Sequence, residues 1–108
     1  MNKLTILVLT LLAAALSSAG AAEVKVLWDK NCAKCHGADG KGATKAGKMA
    51  GAKDMTDAKW QTDVTDERAF KSVKEGIKDG DKVRMKPAEG ISDEDIKGLV
   101  AYTRTFKK

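Results

Sequence analysis

The chain has 108 residues, 20 Lys and Arg against 15 Asp and Glu, one His, two Cys and a net charge of +5. That length allows one domain, and 43% hydrophobic with 32% charged residues excludes wholesale disorder. Two cysteines exclude a disulfide-dense scaffold, and with a single histidine they cannot complete a four-ligand Cys/His zinc site; five aromatics leave a thin core that something else has to fill.

Residues 1–22 have the three-part layout of a secretory signal peptide. Met1-Asn2-Lys3 is a short basic start, and no acidic residue precedes Glu23. Leu4 to Leu16 is an apolar run of 13 residues broken only by Thr5 and Thr10, followed by the small residues 17–22. The run falls short of the roughly 20 apolar residues a membrane span needs, which argues against an uncleaved anchor. No cysteine near its end offers a site for a lipid. Cleavage after Ala21 or Ala22 fits equally. Removal of 1–22 leaves 86 residues and, since Lys3 departs, a net charge of +4. A chain of that size is marginal on its hydrophobic core alone and calls for reinforcement.

Cys32-Ala33-Lys34-Cys35-His36 holds both cysteines and the only histidine in five consecutive positions. Two thiols at this spacing add across the two vinyl groups of one haem, and the following His supplies the proximal iron ligand. A thioredoxin-like redox pair needs a strand-to-helix turn, and no strand pattern precedes Cys32. An inert Cys32–Cys35 disulfide leaves His36 without a role.

Around the motif, Val24, Leu27, Trp28, Cys32 and Cys35 follow helical spacing, which predicts one amphipathic helix from Glu23 with Lys25, Lys30 and Lys34 facing outward. Gly37, Gly40 and Gly42 end it in a loop. Residues 43–60 are small and polar, with a short helix at Asp57–Trp60; Trp60 reads equally as a haem-edge contact or as core. Thr65 N-caps the next helix, with Asp66 and Glu67 in its first turn. Phe70, Val73 and Ile77 form its apolar stripe, and Gly76 or Gly80 stops it. Residues 81–87 read as a loop closed by Pro87. Ser92 and Asp95 have capping-box spacing, flanked by Ile91 and Ile96 as a hydrophobic staple. Ile96, Leu99, Val100, Tyr102, Thr103 and Phe106 give the last helix a broad apolar face. With no alternating strand and no repeat, the reading is all-α.

The sixth iron position is open to a methionine, a lysine amine, water or nothing, because no second histidine exists. Of Met49, Met55 and Met85, the last is preferred: it lies in the loop between two predicted helices, far in sequence from the motif, and Pro87 stiffens its segment. Met55 heads a short helix, where core packing is the commoner role.

The ordered set of Cys32 to Gly37, Asp39-Gly40-Lys41-Gly42, Val64-Thr65-Asp66-Glu67, Gly76, Met85 with Pro87, and Ile91 to Arg104 resembles the class I c-type cytochromes, particularly small bacterial single-haem members. The likeness spans Glu23 to Phe106. It implies a small class I fold of three to four helices wrapped around one covalently bound haem c, residues 23–108 forming the cytochrome domain. It also implies crossing N- and C-terminal helices, with Trp28 near Tyr102, and His36 and Met85 binding iron from opposite faces. Many relatives have Pro directly after the ligand Met, whereas Lys86 intervenes here.

The function expected is that of a soluble periplasmic monohaem cytochrome, a monomer passing one electron between larger redox proteins and not an enzyme. Lys34, Lys41, Lys45, Lys48, Lys82, Arg84 and Lys86 form a candidate basic collar for acidic partners. Each is also an ordinary solvated cation. Nucleic acid is a poor partner for an exported chain whose bases are interspersed with acids. The competing readings are a haem enzyme or gas sensor with a labile or open sixth position, and, more distantly, a thiol-disulfide oxidoreductase.

Overall fold

In the computed structural model, which describes residues 21–108, the helix that carries the motif is split. α1 runs Ala21–Asn31 and α2 runs Ala33–His36, separated by Cys32 at φ −123° and ψ −35°. The predicted single helix is therefore two, because the backbone turns at the first attachment residue. The predicted leader, 1–22, lies outside the described residues except for Ala21 and Ala22, which open α1.

α3 (Lys45–Ala50) occupies a stretch with no apolar stripe; its N-cap is Thr44, whose hydroxyl accepts from the Gly47 N–H. α4 (Ala58–Asp63) begins one residue after the Asp57 cap and extends past the predicted end at Trp60. α5 (Asp66–Glu75) has the predicted Thr65 cap and stops at Gly76. Ile77 therefore falls outside the helix and is exposed rather than part of its stripe; Ala69 is the buried residue of α5. The chain then forms a short hairpin, β1 (Ile77–Asp79) antiparallel to β2 (Lys82–Met85), with Ile77 opposite Met85 and a bulge on β2. This departs from the loop expected at 81–87. α6 (Asp93–Arg104) carries the full capping box between Ser92 and Asp95.

These elements bury two adjoining clusters. Trp28, Cys32, Met55 and Leu99 form the first, bordered by Tyr102, Phe106 and Trp60; Ala69, Ile96 and Val100 form the second, and Ile91 packs against both. α1 crosses α6 here, with the Trp28 ring 5.5 Å from Tyr102 and 5.1 Å from Phe106. That is the predicted contact of the terminal helices. Arg104 fastens the end of α6 to the α4–α5 junction through Asp66, Val64 and Gln61, and Gln61 in turn donates to the carbonyls of Met55 and Thr103. Among the described residues, six helices and one small hairpin keep the fold in the predicted all-α class; the additional helices are short ones of four to six residues.

Candidate haem-attachment site

The short helix α2 presents Cys35 and His36, and Cys32 stands at its N-cap. A helix of four residues cannot hold itself. Its carbonyls are therefore taken by groups from outside the turn. Gly42 N–H donates to the His36 carbonyl at 2.8 Å, and the Thr44 hydroxyl reaches the Lys34 and Cys35 carbonyls at 2.7 and 2.9 Å. From the other side the Trp28 indole N–H donates to the Gly37 carbonyl at 2.9 Å, with its ring 5.8 Å from the imidazole of His36. Gly47 of α3 packs so closely on the Cys35 carbonyl that a Cβ there has no room. The loop between Gly37 and Gly47 is thus folded back as a brace beneath the attachment turn.

The two thiols differ. Cys32 is buried in the Trp28–Leu99 cluster, and loss of solvation pushes its thiol up to about 11; Cys35 is half-exposed. Neither is in a disulfide. Burial also holds His36 below the ordinary histidine range, so the imidazole is neutral at pH 7 and its lone pair is available to a metal. Its Nδ1 is enclosed without a hydrogen-bond partner among the described residues. Two uncommitted thiols and a neutral imidazole on one turn are the donor set that a haem requires, and the residues fit that group. Among the described residues no group of three or more His, Cys, Asp and Glu side chains converges to hold a free metal ion.

The structure brings Cys32, Cys35 and His36 together and puts Met85 on a different element, at the end of β2. Met85 is half-buried. Gly76, at φ +78°, lies under it: a Cβ there would meet the Met85 carbonyl at 2.5 Å and the Pro87 ring at 2.9 Å. The Arg84 side chain of the hairpin lies beside Gly51 at the end of α3, its Nη1 3.4 Å from where a Cβ on that glycine would stand. Met55 is core, and Met49 is 72% exposed on α3. Trp60 sits at the margin of the first cluster, with the Arg104 guanidinium 5.6 Å from its ring centre. Sequence reasoning missed Thr44 and Gly47. The signal available was a threonine three residues before a glycine in an otherwise featureless stretch, and only the fold gives it meaning.

Comparisons with known proteins agree along the whole described chain. A family model described as Cytochrome c matches residues 21–107. Cytochrome c-554(547) of Halothiobacillus neapolitanus is 36% identical over 94 residues, covering 81% of this chain and 97% of that protein. The solved KustC0563 c-type cytochrome superposes with a TM-score of 0.69 at 36% identity, covering 78% of this chain and 96% of that one. A single-residue mutant of the same cytochrome gives 0.67 at 35%, covering 78% and 98%. The chain therefore belongs to the cytochrome c family as a small class I member, an electron-transport protein carrying covalently bound haem c, for which Cys32-Ala33-Lys34-Cys35-His36 is the matching motif.

Proposed function

We propose that this protein is a periplasmic one-electron carrier rather than an enzyme, with His36 and Met85 as the axial iron ligands and acidic redox proteins as partners. When bound, the haem supplies a one-electron ferric–ferrous couple. The observation that carries the ligand assignment is the fate of the three methionines. Met55 is committed to the core and Met49 points into water, whereas Met85 is half-buried on a hairpin end seated against Gly76. The neutral imidazole of His36 offers nitrogen, and the Met85 thioether offers a soft sulfur that favours the ferrous state and raises the potential.

Docking on acidic partners is supported by where the ion pairs lie. Among the described residues the six pairs are Lys25–Asp29, Lys71–Glu75, Lys74–Asp93, Arg84–Asp79, Lys97–Glu94 and Arg104–Asp66. Lys34, Lys41, Lys45 and Lys48, on and beside the attachment turn, take part in none, and neither do Lys82 and Lys86 of the expected collar. Arg84, by contrast, faces Asp79 at 3.1 Å in one of these pairs. Export is supported by the leader-like layout of residues 1–22, and no helix among the described residues is long and apolar enough to cross a membrane.

The test is a visible spectrum of the purified mature protein with its intact mass. The reading expects one haem added to a chain beginning at Ala22 or Glu23, and a methionine-to-ferric-iron charge-transfer band in the far red. Met85→Ala should keep the haem, lose that band and lower the reduction potential. An unchanged potential would discard Met85 as ligand. Rapid binding of carbon monoxide or cyanide by the untouched protein, with no such band, would favour the gas-sensor or enzyme reading.

A further inference from the structure

The attachment turn is held by two side chains, Trp28 and Thr44, and only the second is free of a core role. α2 leaves the carbonyls of Lys34, Cys35 and His36 without partners inside the helix. One hydroxyl, that of Thr44, shares its single proton between the first two of these carbonyls and at the same time accepts from the Gly47 N–H at 2.9 Å. Its donor and acceptor capacity is thus spent on joining the C-terminal end of α2 to the N-terminal end of α3. Gly47 completes the junction, because the Cys35 carbonyl occupies the place its Cβ would take. No other hydroxyl among the described residues bonds two successive carbonyls of another element.

We propose that Thr44 is a positioning residue for the haem iron: by tying the Lys34 and Cys35 carbonyls to α3, it sets the orientation of the backbone from which the His36 ring projects. On a single unsupported turn, any rotation of the peptide behind His36 carries its Cα–Cβ bond, and with it the ring, to a new direction. Thr44 restrains that rotation from outside, so the turn would present the His36 imidazole to a bound iron from one fixed direction. A fixed proximal ligand keeps reorganisation small, which is what a carrier needs. The proposal rests on His36 as proximal ligand.

Proton NMR of the ferric holoprotein tests it, since the four haem methyl resonances are spread according to the orientation of the axial ligand planes. Thr44→Val removes the hydroxyl at nearly constant shape; it should reorder or compress the methyl resonances. Thr44→Ser keeps the hydroxyl and should restore the wild-type pattern. Thr62→Val removes a hydroxyl bonded to the Ala58 carbonyl within α4 and serves as the matched control. It should leave the pattern alone while costing comparable stability. Should Thr44→Val not accumulate, Thr44→Ala carries the same comparison. A Thr44→Val spectrum superimposable on wild type, or a Thr62→Val spectrum altered to the same degree, would overturn the positioning role. A wild-type spectrum lacking hyperfine-shifted His36 ring protons would overturn the ligation on which the proposal stands, and so separates the two failures.

Discussion

At Asp54 the carboxylate accepts from the Thr56 hydroxyl at 2.6 Å and from the Thr56 backbone N–H at 2.9 Å. Both bonds favour the charged form, the hydroxyl most, and hold Asp54 below its ordinary value of 3.8. The folded chain therefore releases this proton more readily than the unfolded one. The resulting stabilisation is complete above the unfolded value and is lost as pH falls through the lower, folded one. Asp54→Asn should accordingly lower the urea midpoint at neutral pH, and its gap from wild type should close as the pH drops below 3.8. A gap independent of pH would remove Asp54 from the account. At this scale the sequence is most readable where chemistry is local. The spacing of Cys32, Cys35 and His36 announces its own use, whereas the backbone turn at Cys32, between α1 and α2, leaves no mark in the residue pattern.

Helix α6 shows what capping chemistry contributes at the level of an element. Ser92 Oγ accepts from the Asp95 N–H at 3.1 Å, and the Asp95 carboxylate returns a bond from the Ser92 N–H at 3.3 Å. Ser92→Ala should cost about 0.5–2 kcal/mol, read from the unfolding midpoint, with faster amide exchange confined to the first turn of α6. The caps at Thr65 and Ser92 were legible because a cap is a contact between near neighbours in sequence. α3 was not legible: Lys45–Ala50 has no apolar stripe, and it is held by Thr44 and by the fit of Gly47 against α2. The hairpin was not legible: Gly80 read as a helix stop and 81–87 as a loop, because strands of three and four residues with exposed Ile77 and Val83 carry no alternation to read.

Across the whole molecule, six cations among the described residues stand in ion pairs and none of the six is on the attachment turn. The paired cations lie on α1, α5, the hairpin and α6, elements that also carry the unpaired Lys30, Arg68, Lys78 and Lys82, while α2 and α3 around the attachment turn contribute to no pair. Lys45→Glu with Lys48→Glu should slow reduction of hexacyanoferrate(III) by the ferrous protein roughly tenfold or more at low salt, with the difference shrinking as ionic strength rises. The same charge change at Lys71 and Lys97, each already opposite a glutamate, should matter less. Equal effects from both pairs would show that net charge alone steers the reaction. The burial of Cys32 bears on how the fold is closed. Its sulfur lies beneath Trp28 and Leu99, inside the closed crossing of the first and last helices. A haem joined to that sulfur would be rooted in the cluster where the two ends of the chain meet, so the bond that holds the group and the contact that closes the fold share one set of residues.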